Sequence, residues 1–402
     1  MAVLFVAGAS FAQQTAVKEA KKLMGGSFGA AQSTIAPALT NPETKDSPET
    51  WNIAGQIQKN WVNNLYQKSV LQQPYDTAQM YNSALAMTNY FFKCDELAQV
   101  PDAKGKINNK YRNANAKSIL ENRSHLLNGG INSYNQYNAT DNPEHGKKAV
   151  EFFGAYVESA GHPMLEKENL MQTDENLGLA AFYACVAAER VGDWASVAKY
   201  ATYAENDAEY GQPAAELAAE ALKQSGDDAK YLQALKDGAK KFPENRYFLA
   251  NAVTYYTQKD DYNSAIAYIN DALSSDPNNS YKLYIKGVVY AQQKNYDEAI
   301  AALQQSANAD NTNAEAYSMI GDVYRLKAQD FSEQATTDMN DPKYEQDQNT
   351  LKGFYSQAKE PYEKARQLKP EERQLWLNGL YTVYYNLGMQ SEFSEIENLM
   401  NN

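Results

Sequence analysis

The chain has 402 residues, with 50 Asp and Glu against 37 Lys and Arg, a formal net charge of −13 and 43% hydrophobic residues. The acid excess argues against wrapping nucleic acid, where Lys and Arg must neutralise phosphates, and the sequence has no apolar run long enough to span a membrane. The length suits two or three ordinary globular domains, or one continuous array of repeats.

Ala2 to Ala9 is a short apolar run, followed by Ser10-Phe11-Ala12 and then Gln13-Gln14. Small residues third-last and last before a cut form the signal-peptidase pattern, although Met1 is followed directly by the apolar core with no basic segment. Residues 1–12 therefore read as an export signal with a truncated start; the alternative is an apolar helix packed on the first repeat. No Cys follows the candidate cut, which disfavours a lipid anchor.

Gln13 to Met24 and Phe28 to Leu39 read as a first helix pair, with Phe28, Ala31, Ile35 and Ala38 on one face and Asn41-Pro42 as the stop. A second pair opens near Pro48 with Trp51, Ala54 and Gly55. Its first helix reaches about Leu71 and its second runs from Thr77 to about Val100, both long. The stretch Gly105–Asn122 is basic and reads as a solvated loop and helix face. A third pair has Leu126, Gly129-Gly130 and Tyr134, then Ala149, Phe153 and Tyr156 after the turn Thr140–Pro143, and stops at Gly161-His162-Pro163.

From Gly178 the spacing becomes regular. Leu249 is followed by Leu283 at an interval of 34 residues, Tyr256 by Tyr290, Tyr262 by Tyr296, Ala265 by Ala299, Ile269 by Leu303, and Pro243 by Pro277. Three periods before Tyr296 lies Trp194, just after Gly192-Asp193. A fixed period of this length is the signature of stacked helix pairs. Each pair is too small to bury both its apolar faces, so neighbours share one core. Lys294-Asn295 is the expected turn, and Gly287 and Ala299 are small where two helices would cross. The unit Gln212–Asn245 is weaker, with Tyr231 and Gly238 at its small positions. The unit opening at Ala314 has Tyr317, Gly321 and Tyr324, but its second half, with Phe354-Tyr355, Ala358, Tyr362 and Ala365, arrives 25 residues late. Polar residues from about Ala328 to Leu351 form the excursion. Arg373–Met400 supplies a closing pair, with Trp376, Leu380 and Tyr384, then Phe393, Ile396 and Leu399, facing inward. Trp51 and Trp194 also fit core positions, as does Trp61.

The unit Ser280–Asn313 resembles the tetratricopeptide repeat. That family has a large residue at its fourth position, small ones at the eighth and twentieth, Tyr at the eleventh, a large one at the twenty-fourth and a small one at the twenty-seventh. Here these are Leu283, Gly287, Ala299, Tyr290, Leu303 and Ser306. The family's closing proline is replaced by Asn311, and the preceding unit has Val253 where a small residue is usual. The resemblance implies an all-α fold: an α-solenoid, a right-handed superhelix of stacked antiparallel helix pairs with about seven repeats and C-terminal capping helices. The expected organisation is irregular repeats over 13–177, regular repeats over 178–313, a repeat with an insertion over 314–372 and a capping pair over 373–402. Cys185 falls at a small core position and Cys94 lies on a helix beside Phe91 and Phe92, with no disulfide expected.

No catalytic constellation stands out. The histidines His125, His145 and His162 lack metal-ligand spacing, and there is no phosphate-cradling glycine loop or nucleophile elbow. The acidic run at Asp338–Asp341 lacks calcium-loop spacing. No enzyme activity, cofactor or metal is expected. In the family the first helices line a groove. By resemblance its residues here are Tyr247, Thr254 and Gln258, then Tyr281, Tyr284, Val288 and Gln292, then Asp322 and Arg325. This implies a non-catalytic scaffold of the bacterial envelope, in the periplasm of a Gram-negative cell, that binds a protein or an extended peptide. A carbohydrate-binding component of an envelope uptake system is the alternative, with the tyrosines stacking on sugar rings.

Overall fold

The protein was analysed as a computed structural model, which describes residues 14–401; the expected export signal over 1–12 lies outside the described residues. Every regular element among the described residues is helical. The chain forms two compact units, Met1–Gly238 and Ala239–Asn402.

In the first unit α1 spans 14–23 and α2 Phe28–Ile35, the latter continued by a 3-10 turn, Ala36–Leu39. Two elongated pairs follow: α3 (Pro48–Val70) with α4 (Thr77–Ala98), and α5 (Arg112–Thr140) with α6 (Pro143–Gly161). A 3-10 turn (Pro163–Glu168) and the single-turn α7 (Leu170–Thr173) lead to α8 (Leu177–Arg190), α9 (Trp194–Ala204), α10 (Gly211–Gln224) and α11 (Asp228–Lys241). The boundary between the units falls within α11.

The second unit holds α12 (Arg246–Thr257), α13 (Tyr262–Ser274), α14 (Ser280–Gln292), α15 (Tyr296–Ala309), α16 (Ala314–Ser332), α17 (Tyr344–Leu368), α18 (Leu377–Leu387) and α19 (Gln390–Asn401). The extra residues of the penultimate pair lengthen both α16 and α17, and 333–343 is the connection at their tip.

The period has a local cause. Turns between paired helices put a residue in the left-handed region at Gly192, Gly226, Asp260 and Lys294, each 34 residues from the last. After each, a backbone N–H turns back onto the first helix: Asp193 to Ala188 O, Asp227 to Leu222 O, Asp261 to Tyr256 O, Asn295 to Tyr290 O. That bond closes the helix end in a Schellman-type cap. Asp193, Asp227 and Asp261 then cap the next helix, their carboxylates accepting from the N–H of Ser196, Lys230 and Ser264. The same period recurs at the first helices, where Asn245, Asn279 and Asn313 accept from the N–H of Tyr247, Lys282 and Ala316.

Packing follows the expected small residues. A Cβ on Gly287 would lie 2.5 Å from Leu303 Cγ and 3.1 Å from the Ala299 carbonyl oxygen. Gly129 and Gly130 likewise receive the rings of Phe152 and Phe153, at 2.7 and 2.6 Å from a would-be Cβ, and Gly55 receives Phe91. Ala31, Ile35 and Ala38 are buried as their spacing predicts, and Phe28 stacks on Trp61. Trp376 is buried, whereas Trp51, Trp61 and Trp194 are only half-buried. The indole N–H of Trp51 donates to the Lys45 carbonyl in the loop before α3, which draws this ring toward the surface. On α19 Ile396 is buried, while Phe393 and Leu399 are half-buried. Cys94 and Cys185 are both buried free thiols.

The first unit also buries one ion pair. Arg123 on α5 donates from Nε to Ser159 Oγ (2.8 Å), and from Nη2 to the Tyr156 carbonyl (3.2 Å) and to Asp174 Oδ2 (2.6 Å). The Tyr156 hydroxyl donates to the other carboxylate oxygen at 2.8 Å, and the guanidinium lies 4.1 Å from the Tyr156 ring centroid. This network ties α5, α6 and the segment after α7 together.

Candidate functional site

The candidate surface lies on the first helices of the second unit: α12, α14 and α16. Their asparagine caps fix where each helix begins, which sets Tyr247, Tyr281 and Glu315 at the same second helical position. A small polar lock holds α14, α15 and α16 together. Ser306 Oγ donates to the Ser280 carbonyl (2.7 Å), Ser280 Oγ bonds the Ser306 carbonyl (2.9 Å), and Asn313 Nδ2 reaches Ser280 Oγ (2.9 Å). Ser306 is buried, so its hydroxyl needs these partners.

Tyr281 is half-buried and roofed by Arg246, whose guanidinium lies 4.5 Å from the ring centroid. Burial pushes the Tyr281 phenol up and Arg246 partly offsets it. Tyr284, one turn on, is also half-buried. Burial raises its phenol pKa, and the carboxylates of Glu315 and Asp322 on α16 raise it further. Both hydroxyls thus stay protonated donors across the physiological range. Glu315 itself is held below the usual carboxylate range: burial opposes this, but Lys369 at 2.9 Å and the charge of Arg246 outweigh it.

The remaining expected residues divide into two groups. Tyr247 and Val288 are half-buried, and Thr254, Gln258 and Gln292 are exposed near the far ends of α12 and α14. Asp322 and Arg325 are engaged with the interior. Asp322 Oδ1 accepts from the buried Tyr362 hydroxyl (2.7 Å) and from Arg325 Nη2 (3.2 Å). Tyr362 is wedged between Gly321 and Gly379, either of whose would-be Cβ atoms overlaps its ring. Arg325 Nε is buried without a hydrogen-bond partner. These two residues orient Tyr362 as much as they face the groove.

Three further residues join the site: Glu315 stands at the same second helical position as Tyr247 and Tyr281, whereas Arg246 and Lys369 stand at none of the groove positions. Arg246 stands one residue before Tyr247 and one period plus one before Tyr281, and the offset between α12 and α14 brings it over that ring. Lys369 lies beyond the insertion, where the register is lost.

The arrangement suits recognition. Two aromatic rings with donor hydroxyls sit beside alternating charges, with no nucleophile held against a base. Among the described residues no group of His, Cys, Asp and Glu could hold a metal ion. No described helix is long and apolar enough to cross a membrane.

Residues 212–306 match the family model described as anaphase-promoting complex, cyclosome, subunit 3, a helical-repeat model of tetratricopeptide type. No curated protein matches. The solved structure of MamA is similar at 20% identity and a TM-score of 0.33, covering 46% of this chain and 88% of that one. A tetratricopeptide repeat protein from Parabacteroides merdae is similar at 14% identity and 0.36, covering 56% and 79%. A repeat protein from Bacteroides fragilis is similar at 15% identity and 0.34, covering 69% and 98%. Paired helices with regular turns and caps define an α-helical repeat protein. The period of 34 and the residues at its fixed offsets are those of the tetratricopeptide repeat, and the matched segment 212–306 is of that type.

Proposed function

We propose that the protein is a non-catalytic scaffold of the bacterial cell envelope that holds an extended segment of a partner protein along α12, α14 and α16. The observation that carries this reading is the pair Tyr281 and Tyr284. Both rings are half-exposed on successive turns of one helix, with donor hydroxyls and Arg246 and Glu315 beside them. Rings at this spacing cover apolar side chains, while the hydroxyls and charges satisfy backbone groups of an extended chain. Export is supported by the apolar run Ala2–Ala9 and the small residues before Gln13, and N-terminal sequencing of the mature protein tests it directly.

The binding test is capture from an envelope extract. Wild-type protein recovers one defined protein partner, and Tyr281→Ala with Tyr284→Ala loses it. Sugar binding on a glycan array that disappears with the same two substitutions would instead establish the carbohydrate-uptake reading and remove the scaffold.

A further inference from the structure

The second unit has another concavity, over a different face of α16. It is an open groove of about 840 Å³ between α15 and α17. Tyr317, Ile320 and Tyr324 of α16 form its floor. Neutral amides line both walls: Gln304 and Asn308 on α15, Gln357 and Gln367 on α17. Glu360, Glu363 and Lys364 complete the α17 wall. From Gln357 to Gln367 this wall rises about 15 Å, the length of four or five extended residues at about 3.3 Å each.

One backbone feature makes the wall an acceptor. Pro361 lies inside α17 and has no N–H, so the Gln357 carbonyl receives no helical donor. Both residues line the groove. The charged groups add in the same sense: two carboxylates and one ammonium line the groove, Lys364 Nζ is bonded to Gln367 Oε1 at 3.3 Å, and Glu363 accepts from the Tyr384 hydroxyl at 3.0 Å, which leaves Glu360 as the carboxylate for a ligand.

We propose that this groove is a second recognition site, which takes an extended peptide segment carrying a lysine or arginine. The amides pair with the backbone of that segment, the Gln357 carbonyl accepts one of its N–H groups, Tyr317 and Tyr324 cover its apolar side chains, and Glu360 receives the cation. A neutral sugar would use the amides and rings but would leave the acidic excess unmatched. The site is separate from the Tyr281–Tyr284 surface and does not depend on that reading.

The test uses the full chain and dye-labelled pentapeptides, N-acetylated and C-amidated, with Lys, Gln or Glu at the centre, alongside maltohexaose. Fluorescence anisotropy is expected to rank Lys above Gln above Glu. Glu360→Lys is expected to weaken the Lys-centred peptide at least tenfold and to favour the Glu-centred one; the same charge change at the exposed Asp271 of α13, Asp271→Lys, is expected to do neither. Pro361→Ala restores an N–H to the Gln357 carbonyl. It is expected to weaken binding severalfold while raising the melting temperature, a combination that general damage to the fold would not give. The proposal is overturned if no pentapeptide binds, if maltohexaose binds in their place, or if Glu360→Lys changes nothing. It is also overturned if Tyr281→Ala abolishes pentapeptide binding. In that case the ligand lies on the first-helix surface and the scaffold reading stands without this groove.

Discussion

Removing the guanidinium of Arg123 should destabilise the first unit more than any surface substitution. The side chains of Arg123 and Asp174 are 8% and 6% exposed. Arg123→Met keeps much of the apolar stem but leaves the Asp174 carboxylate without a counter-charge, held only by the Tyr156 hydroxyl and the Asn176 N–H, and leaves Ser159 Oγ without its donor. Breaking one side of a buried ion pair typically costs about 3–5 kcal/mol, because the partner charge remains desolvated. For a unit of this size that is a fall in melting temperature of about 6–20 °C. Urea unfolding followed by tryptophan fluorescence measures it, since Trp51, Trp61 and Trp194 all report on the first unit. The double substitution Arg123→Met with Asp174→Asn removes the stranded charge and retains an acceptor for Tyr156. It should therefore be more stable than Arg123→Met alone. A loss below about 1 kcal/mol, the range of an exposed pair, or strict additivity of the two substitutions, would refute the claim that this pair is a buried, coupled network.

Other substitutions test the repeat geometry. Gly192→Ala, at φ +74°, should cost about 1–2 kcal/mol because an L-residue is strained there. Lys294→Gly, at φ 62°, should stabilise the second unit by about 0.5–1 kcal/mol in the same denaturation assay, glycine's chain-entropy penalty offsetting part of the relieved strain. Gly287→Ala presses a Cβ onto Leu303 and the Ala299 carbonyl and should cost about 1–3 kcal/mol. Burial pushes the thiols of Cys94 and Cys185 up to about 12. A raised folded pKa means that their contribution is fully present below the unfolded thiol range and is lost as pH rises from about 9 toward 12. Stability of the first unit should fall over that window, and thiol labelling at pH 8 should be no faster than unfolding.

The fold was legible where chemistry recurs. Starts at Trp194, Asp228, Tyr262 and Tyr296 are one period apart because each turn needs a left-handed residue and a cap, and Gly192-Asp193 carries both in plain sight. Lys294 occupies the same left-handed position with none of glycine's freedom, so residue type alone would not mark it. The crossing at Gly287 and Ala299 was readable from size. The Arg123–Asp174 pair was not, because the partners are 51 residues apart and join segments outside the regular repeats. The candidate groove was legible only through the family's positions. These gave Tyr281 and Tyr284 their place, but not Arg246 over the ring, which depends on the offset between neighbouring helices, nor the inward use of Asp322, which depends on a buried Tyr362 beyond the insertion. Pro361 removes one donor from α17, yet the helix continues through it because packing along the remaining turns outweighs one lost hydrogen bond.

Site-specific photo-crosslinking in the living cell tests the recognition surface most directly. A benzophenone amino acid replaces Tyr284 in one strain and the exposed Asn270 of α13 in another, and the adducts are mapped by mass spectrometry. The account predicts a single polypeptide adduct from position 284, mapping to one short segment of one partner, and none from position 270. No polypeptide adduct from 284, or the same adducts from both positions, would contradict it.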